Sequence, residues 1–243
     1  MKISLCTPMY NESSIVRDTV RTLVTYMKEH FEDFEILFVN DGSKDDCAAQ
    51  AADEIKKMGA EDCARVIGYE VNRGKGAALR YAVGETVGDF VIFTDCDLAY
   101  GTDVIAEAAA LFEEKKPELI IGSRRLGADG YESYTFIRKL ASKTYVKLLG
   151  TIGGFKLSDS QCGFKCFEGN IGRKIFSVCE TDRFAFDFEV LMIATKMNAD
   201  ILEMPVKIIN HRESKINILR DSVKMFSDML KIKRRVRKLK VER

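Results

Sequence analysis

The first half of the chain alternates between apolar segments and amphipathic segments, and this order constrains the fold more than any other feature. Five segments have the alternation or continuous apolar run of a strand, at residues 2–7, 34–40, 64–70, 89–95 and 118–123. Four segments have helical character, at residues 13–30, 45–58, 75–87 and 102–116. Such alternation implies right-handed crossovers. The sequence therefore predicts an α/β fold with a mostly parallel sheet and helices on both faces.

The second half of the chain is less regular than the first. Its pattern predicts helices and strands at residues 136–150 (helix), 159–168 (loop entering a strand), 184–198 (helix), 200–207 (strand) and about 217–240 (helix). There is no internal repeat and no linker rich in proline or glycine. We therefore predict one α/β domain over residues 1–215, followed by an amphipathic helix within residues 216–243.

The charges of the chain balance overall but are unevenly distributed. Lys and Arg total 38 and Asp and Glu total 37, a net charge of +1 that argues against a nucleic-acid partner. Residues 231–243 nevertheless hold eight basic residues and one acidic residue. An acidic body with a basic tail indicates that the tail meets an anionic surface.

The cysteines and the apolar segments indicate where such a chain works. Seven cysteines stand in no spacing typical of a disulfide framework, which favours a reducing cytoplasm. The first residues read directly as a strand and lack the apolar region of a signal peptide. No run approaches the roughly 18 apolar residues of a membrane span. We therefore expect a cytoplasmic protein.

In a parallel α/β sheet, ligands bind beyond the carboxyl ends of the strands. Asp95-Cys96-Asp97 follows the apolar strand at 89–95 at such an end. Two carboxylates two residues apart can share Mg²⁺ or Mn²⁺, which prefer carboxylate and phosphate oxygens. The alternative is a helix-capping aspartate beside a solvated one. The position of the triplet favours the metal site.

Three other strand ends carry residues suited to a nucleotide. Asp41, in VNDGSKDD, can accept hydrogen bonds from the N–H edge of a base, although aspartate, glycine and serine are also ordinary turn residues. In TPMYNE, Pro8 fixes the turn, Tyr10 can stack on a base and Glu12 can accept from a ribose hydroxyl. The alternative there is a proline turn into a capped helix. In NRGKG, two glycines bracket Lys75 at a strand-to-helix junction that can hold a phosphate, although the segment is not a Walker loop.

The later loops carry polar residues with weaker individual signals. Arg124 in GSRR can pair with a phosphate, and Gln161 in DSQCGFK can bind sugar hydroxyls. Asp187 and Glu189 open a predicted helix, where acidic residues also favour the helix dipole without any further function. The segment HRESK offers two more cations for phosphates, or an ordinary solvated loop; they are Arg212 and Lys215.

These motifs stand in the order found in the family 2 glycosyltransferases, and the chain resembles that family over residues 7–215. The matching segments are TPMYNE, VNDGSKDD, NRGKG, DCDLA, GSR, DSQCGFK, FDFEVL and HRESK. The likeness is greatest to the branch that makes polyprenyl-phosphate sugars, of the dolichyl-phosphate glucosyltransferase type. It implies a GT-A (Rossmann-like) fold, a catalytic domain over residues 1–215, a nucleotide-diphosphosugar donor and a divalent cation.

The resemblance also implies roles for single residues. The implied nucleoside contacts are Pro8, Tyr10, Glu12, Val39 and Asp41. Lys75 is implied near the base or diphosphate, Asp95 and Asp97 at the metal, and the Cys96 backbone near the ribose. The implied phosphate contacts are Arg124, Arg212 and Lys215. The candidate catalytic residues are Asp97, Arg124, Gln161 and Asp187. The chain departs from the mannose synthases at Ala99, where they tend to have a polar residue, and Cys96 replaces the usual alanine.

The reaction expected from the resemblance is an inverting transfer of a hexose, with glucose and UDP favoured and GDP possible. A polyprenyl phosphate acceptor is already anionic near neutral pH, because its second pKa is about 6, and needs no base. Asp187 then positions the acceptor or a cation. In the alternative, the acceptor is a saccharide or other soluble molecule and Asp187 is the general base. A further alternative is a non-catalytic module that binds nucleotide sugars.

The predicted C-terminal helix supports a lipid acceptor. An apolar stripe recurs along it at helical spacing, at Ile218, Met225, Met229, Ile232, Val236 and Leu239, with basic residues beside it. A basic amphipathic helix can lie on an anionic membrane surface. Residues 217–240 therefore predict a peripheral protein at the cytoplasmic face of a membrane. The alternative is a helix that packs on the body or in a dimer and leaves its basic end in solvent.

Overall fold

The computed structural model describes residues 1–127, 148–210 and 218–241 of the chain. Its strands are β1 (Ile3–Met9), β2 (Phe34–Asp41), β3 (Ala64–Tyr69), β4 (Phe90–Phe93), β5 (Leu119–Ser123), β6 (Lys165–Glu168) and β7 (Ile201–Pro205). The helices that concern the site are α1 (Val16–His30), α2 (Cys47–Lys57), α3 (Lys75–Gly84), α4 (Asp103–Lys115), α5 (Gly169–Val178), α6 (Phe186–Lys196) and α7 (Ile218–Lys238).

The seven strands form one sheet in the order β3-β2-β1-β4-β6-β5-β7. β1 pairs in parallel with β2 and β4, and β5 pairs in parallel with β7. β6 is the exception, because it runs antiparallel to both β4 and β5. The mostly parallel α/β sheet predicted from the sequence is confirmed.

Strands β1, β2, β4 and β5 are buried almost throughout because helices cover both faces of the sheet, whereas the edge strands β3 and β7 are partly exposed. Neighbouring residues of one strand enter different clusters: Leu5 packs on the side of α1, α2 and α4, and Cys6 packs on the side of α3, α5 and α6. The same division holds for Ile36 and Leu37 of β2. This two-sided burial explains the continuous apolar runs in the sequence.

The second half of the chain adds an element that the sequence analysis missed. α5 begins after Glu168, whose side chain accepts from the Ile171 backbone N–H at 2.8 Å and so caps the helix. Its buried residues Ile175 and Phe176 pack against the sheet. The helix predicted at 136–150 lies mostly outside the described residues.

The C-terminal helix packs on the domain through part of its apolar stripe. Met229, Ile232 and Val236 of α7 are buried in the cluster that includes α6. At these three positions the stripe is covered by protein, as in the alternative of a helix packed on the body. The basic side chains of Arg234, Arg237 and others remain exposed. None of the described helices is both long enough and apolar enough to cross a membrane.

Candidate active site

The carboxyl ends of β1 to β4 meet at one edge of the sheet and border a cavity of about 340 Å³. Six of the residues singled out in the sequence line it: Pro8, Tyr10, Glu12, Asp41, Lys75 and Asp95. Residues that sequence reasoning did not single out complete the lining: Met9, Asn72, Gly74, Arg183 and Phe184. A wider cleft of about 620 Å³ elsewhere in the described structure holds none of the predicted site residues. The smaller cavity is therefore the candidate site.

Asp41 organises the loop that forms one wall of this cavity. Its Oδ1 accepts from the Tyr69 hydroxyl at 2.7 Å and from the Arg73 backbone N–H at 2.9 Å. Its Oδ2 accepts from Asn72 Nδ2 at 2.8 Å and from the Gly74 backbone N–H at 2.9 Å. Burial and the Asp41 carboxylate raise the pKa of the Tyr69 phenol, which keeps it a donor. The expected contact between Asp41 and a base stays a prediction. A base would have to donate to carboxylate oxygens that already accept these four hydrogen bonds.

Lys75, at the start of α3, pairs with Asp95 at the end of β4. Lys75 Nζ lies 2.5 Å from Asp95 Oδ1. Burial by itself lowers the pKa of Lys75, and the carboxylates of Asp95 and Asp187 outweigh it and raise that pKa. Asp95 also lies against the chain at Gly163, where a Cβ would meet Asp95 Oδ2 at 2.1 Å. Only glycine leaves this carboxylate its observed place.

Asp97 lies two residues beyond Asp95, on the turn that follows β4. Its Oδ1 accepts from the Ala99 backbone N–H at 3.1 Å, and the intervening Leu98 has a positive φ of 48°. Asp97 and Cys96 line a separate cleft, also of about 340 Å³, and neither residue lines the candidate cavity. In the described residues no group of three or more His, Cys, Asp or Glu side chains surrounds a possible metal position. Asp95 and Asp97 line different clefts, so a cation held by both carboxylates stays a prediction.

Two of the residues expected at the nucleoside lie away from the cavity lining. Val39 is fully buried in β2 and packs in the core. The Cys96 side chain is also buried, and its carbonyl accepts from the Thr19 hydroxyl at 2.7 Å. Burial raises the pKa of the Cys96 thiol to about 12. Neither residue lines the cavity. Their expected contacts with a nucleoside therefore stay predictions.

Arg124 follows β5 and is held by Asp159. The guanidinium makes two bonds to this carboxylate, from Nε at 2.6 Å and from Nη2 at 2.9 Å. Burial alone raises the pKa of Asp159, but the bonds from Arg124 outweigh it and hold that pKa below its usual range. The Gln161 backbone N–H reaches Asp159 Oδ1 at 3.3 Å. A phosphate contact of Arg124 must therefore form beside an existing ion pair.

Asp187 opens α6 and is paired with a lysine that the sequence analysis missed. Lys165 of β6 is fully buried, and its Nζ donates to Asp187 Oδ1 at 2.5 Å and to the Cys162 carbonyl at 2.6 Å. Burial raises the pKa of Asp187, against the opposing effect of Lys165 and Lys75. Lysine in a short strand is ordinarily taken as exposed, so only the fold reveals this pair.

The other acidic residue of the same helical turn faces elsewhere. Glu189 is fully buried and accepts from the Thr181 backbone N–H at 2.7 Å and from that of Glu180 at 3.2 Å. It also contacts Arg235 of α7. The two remaining predicted phosphate ligands, Arg212 and Lys215, lie outside the described residues.

Comparison with known proteins identifies the class. Residues 4–176 match the family model described as Glycosyl transferase family 2. The chain belongs to this family, and the protein is a glycosyltransferase. The solved structure of glucosyl-3-phosphoglycerate synthase from Mycobacterium tuberculosis, in complex with Mn²⁺, UDP-glucose and phosphoglyceric acid, has a TM-score of 0.67 to this chain at 19% identity. The superposition spans 95% of this chain and 78% of the synthase. This likeness of structure confirms the GT-A fold.

Curated relatives point to a narrower group. The chain is 28% identical to dolichyl-phosphate beta-glucosyltransferase of Dictyostelium discoideum, over 95% of this chain and 73% of that protein. It is 28% identical to the Saccharomyces cerevisiae protein of the same name, over 95% and 74%. A Trichomonas vaginalis dolichyl-phosphate beta-glucosyltransferase is 30% identical over 95% and 72%.

Proposed function

We propose that the protein transfers glucose from UDP-glucose to a polyprenyl phosphate, with inversion at the anomeric carbon and with a divalent cation. The observation that carries this proposal is the cavity at the sheet edge, which joins an aromatic side chain, acidic acceptors and the Lys75–Asp95 pair. The names of the curated relatives support the choice of glucose and of a lipid phosphate acceptor.

The cavity suits a nucleoside diphosphate from one end to the other. Tyr10 and Phe184 both line it and expose 39% and 57% of their surface, so flat apolar faces are available for a base or a sugar ring. Glu12 supplies an acceptor for ribose hydroxyls. Lys75 supplies a cation at the start of α3, beside its partner Asp95.

Asp95 and Asp97 are the residues that would hold the cation. The Asp95 side chain is one-third exposed, and such a cation takes its other ligands from phosphate and water. Mg²⁺ or Mn²⁺ would supply charge stabilisation to the leaving diphosphate. The lysine and arginine side chains of the site neutralise the same charge.

The surroundings of Asp187 favour a phosphate acceptor over a hydroxyl acceptor. Its Oδ1 already accepts from buried Lys165, and this charge opposes the effect of burial, which raises the pKa of Asp187. A phosphate monoester attacks without a base because it is anionic near pH 7. In this proposal Asp187 and Lys165 fix the charge pattern on which the acceptor docks. The alternative, a soluble hydroxyl acceptor with Asp187 as base, is tested in the Discussion.

The exposed basic face of α7 supports peripheral attachment at the cytoplasmic face of a membrane. With Met229, Ile232 and Val236 buried, attraction there would be electrostatic, at about 1 kcal/mol per basic residue near an anionic surface. The residues that form this face are Lys231, Arg234, Arg237, Lys238 and Lys240.

The experiment that tests the proposal is release of nucleotide from UDP-glucose with Mg²⁺ or Mn²⁺, with and without a polyprenyl phosphate, beside Asp97→Asn. We expect release that needs the lipid and falls by about 10²-fold or more in the variant. Release from a GDP-sugar in place of UDP-glucose would overturn the donor and keep the reaction. Release with a soluble acceptor alone would overturn the lipid. Nucleotide binding without any release would favour a non-catalytic module.

A further inference from the structure

Arg235 of α7 reaches from the C-terminal helix to the loop that precedes α6. Its Nη1 lies 2.5 Å from Glu180 Oε2, and its Nη2 contacts the carboxylate of Glu189. Its neighbour Arg234 is exposed, whereas Arg235 exposes about a quarter of its side chain. Arg235 therefore differs from the basic residues around it, which form the solvent face of the helix.

The Glu189 carboxylate makes this contact consequential. It is fully buried and accepts from the backbone N–H groups of Glu180 and Thr181. A buried carboxylate is strongly destabilised unless it has hydrogen-bond donors and a counter-charge. Of the described side chains, Arg235 is the cation that pairs with it. Arg235 and Glu189 together thus hold the start of the loop.

The same loop forms one wall of the candidate donor cavity. The Asp182 carbonyl accepts from the Ala77 backbone N–H at 3.0 Å, at the first turn of α3. A Cβ on Gly76 would meet the Thr181 carbonyl oxygen at 2.4 Å, so loop and helix touch backbone to backbone. The next two residues, Arg183 and Phe184, line the cavity. A shift of the loop at residue 180 therefore moves cavity residues.

The helix that carries Arg235 is itself firmly seated. Lys196, at the end of α6, donates from Nζ to the carbonyls of Val236 and Arg237 at 2.9 and 2.8 Å. Ile232 and Val236 are buried on either side of Arg235. These contacts fix the backbone of α7 around Arg235, and so they hold its guanidinium close to the loop before α6.

We propose that Arg235 is a positioning residue for the nucleotide-sugar donor: from α7 it supports the loop that borders the donor cavity, through its contacts with Glu180 and Glu189. The inference rests on the proposed function in one respect, that the donor occupies this cavity. In this proposal the exposed face of α7 carries its basic residues, and Arg235 on the opposite side supports the loop beside the donor cavity.

The test compares Arg235→Ala with Arg234→Ala, which removes the same charge from an exposed neighbour on the same helix. The first measurement is UDP binding by calorimetry with Mn²⁺ present. We expect Arg235→Ala to weaken UDP binding about tenfold and Arg234→Ala to leave it within about twofold. In steady-state assays, the donor KM should rise more than kcat falls. A folded Arg235→Ala protein that binds UDP as tightly as Arg234→Ala would overturn the inference.

Two further measurements keep the test decisive. Amide hydrogen exchange over residues 180–184, without any ligand, should be about tenfold faster in Arg235→Ala than in Arg234→Ala. This result does not depend on the donor, so a wild-type protein that fails to bind UDP contradicts the proposed function and not the loop contact. If Arg235→Ala does not fold, Arg235→Gln decides. It keeps a polar side chain but removes the counter-charge from buried Glu189, and unchanged exchange at 180–184 would overturn the inference.

Discussion

Lys165 Nζ lies 2.5 Å from Asp187 Oδ1, and neither residue has appreciable contact with solvent. The second pair of the site, Lys75 and Asp95, lies close enough for both of its members to affect the pKa of Asp187. The two ion pairs are therefore electrostatically coupled. Each charge is compensated before any ligand arrives, so the effect of removing one depends on the partner it leaves behind.

Asp187→Asn separates the two acceptor hypotheses. With a polyprenyl phosphate acceptor we expect a small fall in kcat, about tenfold or less, since no proton has to be removed. A general base would instead cost about 10²–10⁴-fold. The measurement is kcat with saturating donor and lipid. The variant also leaves Lys165 buried without its counter-charge, at a cost of about 3–5 kcal/mol in unfolding free energy. The double variant with Lys165→Met should recover part of that loss.

The pH dependence of kcat/KM gives an independent check on the same residue. With a phosphate monoester acceptor, activity should rise with pH through about 6, where the second proton leaves. That acid limb should remain in Asp187→Asn. Because burial raises the pKa of Asp187, a base at this position would also give an acid limb above the usual carboxyl range. In that case the limb would disappear in the variant, and the proposed acceptor would be wrong.

Gly163→Ala should disable the site without unfolding the domain. The new Cβ would come within 2.1 Å of Asp95 Oδ2, so the Asp95 carboxylate has to turn away. We expect a loss of activity of about 10²-fold and a higher requirement for Mg²⁺ or Mn²⁺. The matched control is Gly84→Ala, where nothing lies within 4 Å and a helical alanine is slightly stabilising. Equal activities of the two variants would contradict the role given to Asp95.

Asp159→Asn should destabilise the protein in a way that depends on pH. The pKa of Asp159 is held below its usual value by Arg124, so the ion pair stabilises the fold above the unfolded pKa of about 3.9. That contribution is lost as the pH falls through the lower folded value. We expect a deficit of about 2–4 kcal/mol at pH 7 that shrinks below pH 4. Denaturant unfolding at several pH values measures it.

The control for this prediction is Asp18→Asn, which removes a partner of Arg21 on the surface of α1. The Asp18 side chain is 81% exposed, so the loss should stay below about 0.5 kcal/mol at every pH. A deficit in Asp159→Asn that grew on acidification would show that another group controls the response.

The fold and much of the cavity could be predicted because their signals are local. Apolar runs such as that of β2 identify strands covered on both faces, and parallel strands bring their carboxyl ends to one edge. Asp41, Lys75 and Asp95 therefore meet although they are far apart in sequence. α5 was missed because its first residue is a glycine and its capping residue, Glu168, is not a usual N-cap.

The remaining site residues could not be predicted because their roles arise from tertiary contacts. Lys165 is a charged residue in strand β6, and its partner Asp187 lies in helix α6. No pattern in the sequence around Lys165 predicts this pairing. Phe184 enters the cavity from the loop before α6, where its neighbours in sequence give no nucleotide signal. Arg235 reads as one more basic residue of the tail until the fold brings Glu189 beneath it.

The division of α7 into a buried and an exposed face makes the last prediction specific to charge. Since Met229, Ile232 and Val236 pack on the body, binding to vesicles should depend on the exposed basic residues and weaken with salt. We expect the protein to float with vesicles that contain anionic lipid and not with neutral ones. Arg234→Glu with Arg237→Glu should abolish flotation and leave UDP binding unchanged, because both side chains are exposed to solvent and neither lines the cavity. Flotation that survives both substitutions and high salt would instead show that apolar insertion holds the protein on the membrane.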